Sequence, residues 1–309
     1  MIFAAFDLET VSQLTANGMI SGAFYGLLGV GFALILGVTG RFHFAYSIYY
    51  TLSAYFMFTF WDRVGLPVWP AVLLGILAAT ALGVGTEQVI YRPMAVRAGA
   101  TALLAIFVAS LGLTIAGSNL VQLLWGSENQ ILEGPQQDVI NWGDVAFLNF
   151  DLWSVISAVV LVLILAALMR YTDLGRQIKA TRVNPELAEI IGISSHRIYL
   201  IVFAIGTFLA GSAAFWYSLK FSIDPAMGLR PVIFAFVVAF LAGTASSPIR
   251  VFLTGVAVAL LEQYTSIWLS VRWTQTAVFV VLLVYLVVLA FEPRRVILSM
   301  FPQLAREKV

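Results

Sequence analysis

The chain has no cysteine and only two histidines in 309 residues, and only 11% of its residues are charged. Without cysteine there are no disulfides and no thiolate metal sites, and cysteine usage gives no reading of redox compartment. Ordinary soluble domains carry roughly 25% charged residues. A net charge of +1 speaks against nucleic acid as a partner, since that surface is bound through many phosphate-neutralising Lys and Arg side chains. The N-terminus, MIFAAFDLET, lacks the basic region of a signal peptide and has Asp7 and Glu9 instead. The first apolar segment is therefore expected to be retained.

What is present is apolar: 61% hydrophobic residues, 14% aromatic, mean hydropathy +0.95. A bilayer core takes about 20 apolar residues per helix, because each backbone donor and acceptor must be satisfied within the segment. Candidate spans are Leu14–Gly37, Phe44–Phe60, Val68–Ile90, Thr101–Leu124, Leu152–Met169, Ile198–Leu219, Val232–Leu241, Ile249–Leu269 and Trp273–Phe291. The pattern predicts an all-α, polytopic transmembrane helical bundle with about eight to ten membrane segments, some short or broken. The short segments at 44–60 and 232–241 each adjoin a polar, helix-breaking knot, GVTGRFHFAYS at 37–47 and AGTASSPIR at 242–250.

Lys and Arg placement sets the orientation. The stretch 126–151 carries Glu128, Glu133, Asp138, Asp144 and Asp151 and no basic residue, which predicts an outer loop. The connection 170–197 carries Arg170, Arg176, Lys179, Arg182 and Arg197, and the tail adds Arg294, Arg295, Arg306 and Lys308; both are predicted to be cytoplasmic. The N-terminus then lies outside.

Inside the second connection, residues 180–198 read ATRVNPELAEIIGISSHRI, a small soluble helix in a chain with little soluble surface. Asn184 is a fitting N-cap and Pro185 fits the first helical position. Glu186 and Glu189 suit the positive end of the dipole. Leu187, Ile190 and Ile191 recur on one side, and Gly192 supplies the stop. So short a helix depends on docking, either onto the bilayer or its own bundle, or onto a partner.

The segment RYTDLGRQIKATRVNPELAEIIGISSHRIYL resembles the cytoplasmic loop of the branched-chain amino acid ABC importer permeases, the LivH family, in which a stretch ending in E-x-A-x-x-x-G-I is the coupling helix. Glu186, Ala188, Gly192 and Ile193 match it here. NGMISGAFYGLLGVGFALILGVTGRFHFAYS, VIYRPM at 89–94, DPAMG at 224–228 and the knot at 242–248 have counterparts in the same order, so nearly the whole chain is covered. The resemblance implies a single permease domain over 1–309 with its coupling helix at 184–192. The implied partners are a second homologous permease, two cytoplasmic ATP-binding subunits and an extracytoplasmic solute-binding protein, in a bacterial inner membrane. Glu186, Leu187, Ala188, Ile190, Ile191 and Gly192 would form the ATPase contact. The chain itself would bind no cofactor, with ATP used by the partners.

The sequence departs from the family at HFAYS, 43–47, where N-F-A-H-G is usual, and at AGTASSPIRVFLTG, 242–255, where glycines are fewer. Both knots are candidate pathway elements, with Tyr46, Ser47, Tyr50, Thr244, Ser246 and Ser247 as the expected lining. Hydroxyls and aromatic faces suit a solute neutral overall, because an unpaired ion in a dry cavity is heavily penalised. A branched-chain or related amino acid fits, as does urea, a short amide or another small organic solute.

Glu262 is the most isolated charge, half-way along its segment, and is either a functional carboxylate or a hydrogen-bonded anchor. Glu87 and Arg92 are expected at the interface. Gly18, Gly22 and Gly26 form a stripe for close helix approach, within one chain or between two. An intramembrane enzyme is disfavoured for want of a nucleophile–base pair, a carboxylate dyad or a metal set. A stand-alone ion-driven transporter fits the paired knots but not the few titratable groups.

Overall fold

The computed structural model describes residues 8–132, 138–143 and 145–291. Glu133 and Asp144 of the acidic stretch and the basic residues of the tail lie outside the described residues. The chain is helical almost throughout, in the order α1 (Leu8–Thr39), α2 (Tyr46–Phe58), α3 (Val68–Thr86), α4 (Arg92–Arg97), α5 (Ala102–Trp125), β1 (Val139–Trp142), β2 (Val145–Leu148), α6 (Asn149–Tyr171), α7 (Asp173–Val183), α8 (Pro185–Ile190), α9 (Ser195–Lys220), α10 (Leu229–Ala242), α11 (Pro248–Thr265) and α12 (Val271–Phe291). The all-α expectation holds; among the described residues the strands are confined to the small antiparallel hairpin β1–β2, which the acidic composition of that stretch did not announce.

Among the described residues, five helices are long and apolar enough to cross a bilayer: Glu9–Thr39, Val68–Arg97, Ala102–Trp125, Asn149–Tyr171 and Ser195–Lys220. α3 and α4 form one of them because Glu87–Tyr91 joins them as a π-helical turn without a break. α5 and α6 turn Leu104, Val108, Ile115, Leu123, Leu163 and Ile164 outward, each more than half exposed. Apolar faces of that extent have no place in water and are the lipid-facing surface of a multi-pass membrane protein.

α1 is the central post. Its glycine stripe is used within the chain: a Cβ at Gly18 would stand 2.6 Å from a Leu260 side-chain carbon, one at Gly22 2.6 Å from the Val256 Cα, and one at Gly26 2.8 Å from the Phe252 carbonyl oxygen. Missing side chains thus let α1 and α11 pack backbone against backbone. On other sides α1 meets α10, α9 and α6.

α2 and α10 are the short apolar helices expected between the knots. At about 1.5 Å per residue, their 13 and 14 residues measure roughly 20 Å, less than a bilayer core of about 30 Å. Their starts meet inside the bundle, where the Gly228 N–H donates to Thr51 Oγ1 at 3.2 Å and Gly228 lies against the Ser47 carbonyl.

Side-chain contacts sort the element ends into two sets. At one end, Gln13 exchanges hydrogen bonds with the Ala146 backbone (3.0 and 2.9 Å), Thr15 meets the Tyr264 hydroxyl (2.7 Å), Trp125 Nε1 donates to Thr59 Oγ1 (2.8 Å), and Gln130 pairs with Ile223. At the other, Arg182 donates to the Ala245 carbonyl (3.0 Å), Gly37 abuts Thr244, and Arg92 meets His196 (3.2 Å). The second end holds Arg92, Arg97, Arg170, Arg176, Lys179, Arg182 and Arg197.

Candidate functional site

Three places in this frame carry polar chemistry. The first is α8. Asn184 caps it, its Oδ1 accepting from the Leu187 N–H at 3.0 Å. Gly192 takes φ +86°, a left-handed conformation that side-chain-bearing residues resist, and this lets the Ile193 N–H return to the Ala188 carbonyl at 2.9 Å. Ala188 is buried and Ser195 Oγ donates to the Pro185 carbonyl at 3.1 Å, so one side of α8 is seated on the chain. Leu187, Ile190 and Ile191 point away, 60%, 79% and 71% exposed. The caps and stop read from the sequence are in place, although the helix itself is the shorter Pro185–Ile190.

The connection that leads into α8 is packed and hydrogen-bonded to the bundle. Thr172 caps α7 by accepting from the Gly175 N–H at 3.1 Å, and α7 buries Gly175, Ile178 and Thr181 against its neighbours. The Arg182 bond to Ala245 joins this connection to the second knot.

The second place is the pair of knots, and here the structure does not gather the residues proposed as one lining. Tyr46 is fully buried, its hydroxyl donating to the Gly206 carbonyl (3.0 Å) and reaching the Leu28 carbonyl (3.4 Å). Ser47 is buried, donating to the Phe44 carbonyl at 3.0 Å. Ser246 donates to the Ala242 carbonyl, and Ser247 caps α11 by accepting from the Arg250 N–H at 3.4 Å. Thr244 and Ser246 border a crevice of only about 10 Å³ beside Arg182. That is room for about one water. Near the first knot, Arg41 pairs with Glu87 and lies 5.1 Å over the Tyr199 ring, while His43 Nδ1 meets the Tyr91 hydroxyl at 2.9 Å. Glu87 is completely buried. The helix runs on to Arg97, so Glu87 lies within a helix and not at its end as expected from the sequence.

The third place was only partly foreseen. A cavity of about 240 Å³ opens among α1, α2, α9, α10 and α11, with Tyr25, Tyr50, Tyr217, Lys220, Arg230 and Glu262 on its walls. Of the expected lining, Tyr50 alone is here. Glu262 is buried and hydrogen-bonded: Oε1 accepts from Arg230 Nη2 at 2.9 Å and Oε2 from the Tyr25 hydroxyl at 3.0 Å. Lys220 Nζ donates to Asp151 Oδ1 at 2.8 Å. Arg230 was missed because it falls at the margin of a loop; the signal that could have found it was Glu262, which at membrane depth requires a partner.

Long apolar helices, lipid-facing flanks, paired short helices and an internal polar cavity define a polytopic membrane protein of the transport class. Residues 14–289 match the model of the family described as branched-chain amino acid transport system, permease component, and the chain belongs to that family. It is similar to the high-affinity branched-chain amino acid transport system permease protein LivH of Escherichia coli K12, with 26% identity over 291 residues, 90% of this chain and 93% of that protein. BraD of Pseudomonas aeruginosa, of the same description, is 27% identical over 250 residues, 76% of this chain and 80% of that protein. A shorter match, 24% over 152 residues, reaches the fructose import permease protein FruF of Bifidobacterium longum, covering 48% of this chain and 40% of that protein. No solved structure matches.

Proposed function

We propose that this chain is the membrane subunit of an ATP-driven importer for a small neutral or zwitterionic solute, a branched-chain or related amino acid, delivered by an extracytoplasmic binding protein. In this reading it pairs with a second permease, binds no cofactor, catalyses no reaction, and couples through α8 to cytoplasmic ATPases. The observation that carries it is α8 itself: capped at Asn184, stopped at Gly192, seated through Ala188, and offering Leu187, Ile190 and Ile191 outward. Apolar residues so exposed on a connection rich in Arg and Lys suit a partner's groove. Family membership supports the same reading, as do the relatives' names.

The end of the bundle that holds α8 is taken as cytoplasmic, in keeping with the positive-inside rule, and the membrane as the bacterial inner membrane. In this reading the membrane segments number nine, α1, α2, α3–α4, α5, α6, α9, α10, α11 and α12, of which α2 and α10 are too short to span the core by helix alone, and the N-terminus is outside. Transport then proceeds by alternating access, each ligand favouring the state that it contacts better.

The experiment is reconstitution with the ATPases and binding protein in proteoliposomes. Leu187→Asp is expected to leave the chain inserted while abolishing stimulation of ATP hydrolysis by loaded binding protein. Normal stimulation in that variant refutes the docking role.

A further inference from the structure

Among the described residues, the charged groups left open in this cavity are cations. Glu262 already accepts on both oxygens, and its side chain is 7% exposed against 59% for Arg230. The carboxylate therefore serves to hold the guanidinium, while Arg230, with five N–H groups, keeps most of them open. Lys220, which also lines the cavity, spends one of its three N–H bonds on Asp151. α10 begins at this cavity, so the positive end of its dipole adds to the field there. Aromatic rings also border the cavity: Arg230 lies 5.9 Å over Phe234, on which Tyr25 stacks with centroids 4.3 Å apart, and Tyr50 meets Tyr217 edge-on at 6.1 Å.

We propose that this cavity is a cargo site in which Arg230, oriented by Glu262, binds the carboxylate of a small zwitterionic solute whose ammonium rests against the Tyr50 and Tyr217 rings. The proposal builds on the importer reading above and adds the recognition chemistry. A carboxylate leaving water needs a charged partner, and guanidinium meets it with two parallel hydrogen bonds. An ammonium over a tyrosine face is stabilised without a second carboxylate. The volume, about 240 Å³, is below the roughly 300–1,000 Å³ of clefts for drug-sized ligands and so suits a metabolite. Ile20, Phe24 and Leu28, on the same cavity, offer an apolar wall for a side chain. Because Glu262 offsets part of the charge on Arg230, the solute is held weakly enough to leave, as transport requires.

Glu262 is a positioning residue here, and its substitution separates this role from simple packing. The permease complex in nanodiscs, without the binding protein, is titrated with leucine and with leucinamide while saturation-transfer NMR reads contact. Wild type is expected to favour leucine by at least about tenfold, Arg230→Lys to keep part of the preference, and Arg230→Gln to lose it. In proteoliposomes, Glu262→Gln is expected to lower KM and kcat together, since an uncompensated guanidinium grips the carboxylate and releases it slowly. No contact from either solute, equal contact from both in wild type, or an undiminished preference in Arg230→Gln overturns the cargo site. Failure of the importer reading is seen separately, as absence of ATP-dependent leucine uptake by the complete wild-type complex.

Discussion

The Tyr46 hydroxyl donates to the Gly206 carbonyl at 3.0 Å, tying the start of α2 to the middle of α9. The bond is made inside a closed core, where Gly31 leaves space for the phenol. Tyr46 is thus an internal fastening in this state. Tyr46→Phe is expected to cost about 1 kcal/mol, and Tyr46→Ala about 3–5 kcal/mol through the cavity it leaves. Thermal unfolding in detergent measures both. Transport selectivity in Tyr46→Phe is expected to match wild type, and a changed uptake spectrum would return this residue to the pathway.

The contact of α1 with α11 depends on absent side chains. Gly22→Val is expected to abolish folded protein, because the new Cβ meets the Val256 Cα, a backbone atom that cannot rotate away. Gly85→Ala in α3 is the control, since nothing lies within 4 Å of its Cβ position. There the change is expected to be neutral or stabilising by up to about 1 kcal/mol, from the higher helix propensity of alanine. Size-exclusion profiles of the two variants decide it.

Much of this frame was legible because membrane segments and caps are local signals. α2 and α10 stand where short apolar runs met the polar knots, and Asn184, Pro185 and Gly192 each do what their backbone chemistry allows. What escaped was pairing across long sequence separations. Arg230 and Glu262, or Arg41 and Glu87, reveal each other only once helices are placed side by side. The residues proposed from the knots are not gathered into one lining for a related reason: a serine or threonine beside a helix end readily satisfies itself on nearby backbone, as Ser246 does on Ala242.

Sidedness can be read directly, since the chain has no cysteine of its own. Glu128 and Glu189 are both exposed, at opposite ends of the bundle. A cysteine replacing Glu128 is expected to react with an impermeant maleimide on intact spheroplasts, and one replacing Glu189 only after lysis. The opposite pattern would put α8 outside and remove its ATPase role.

The Arg41–Glu87 pair sets the last expectation. Both side chains are buried, at 8% and 0% exposure, and Glu87 Oε2 has no hydrogen-bond partner among the described residues, so Arg41 is the cation that holds this carboxylate directly, with the Arg92 charge acting from further off. A buried pair adds little net stability over apolar residues of the same size, since desolvation offsets the attraction. Breaking it is another matter, because the remaining charge is left buried without its direct partner. Arg41→Met is therefore expected to destabilise the chain by about 3–5 kcal/mol, whereas Arg41→Met combined with Glu87→Leu recovers most of that loss. The recovery is the diagnostic: unfolding midpoints of the two single variants and the double variant form a cycle, and additive losses would show that the two charges are not coupled. Because Arg41 also lies over Tyr199 on α9, the helix that follows α8, the double variant has a second expected phenotype. It regains stability while ATP hydrolysis in the assembled transporter becomes less dependent on loaded binding protein, since the polar tie between the end of α1 and the start of α9 is gone. Unchanged dependence would confine the pair to stability alone.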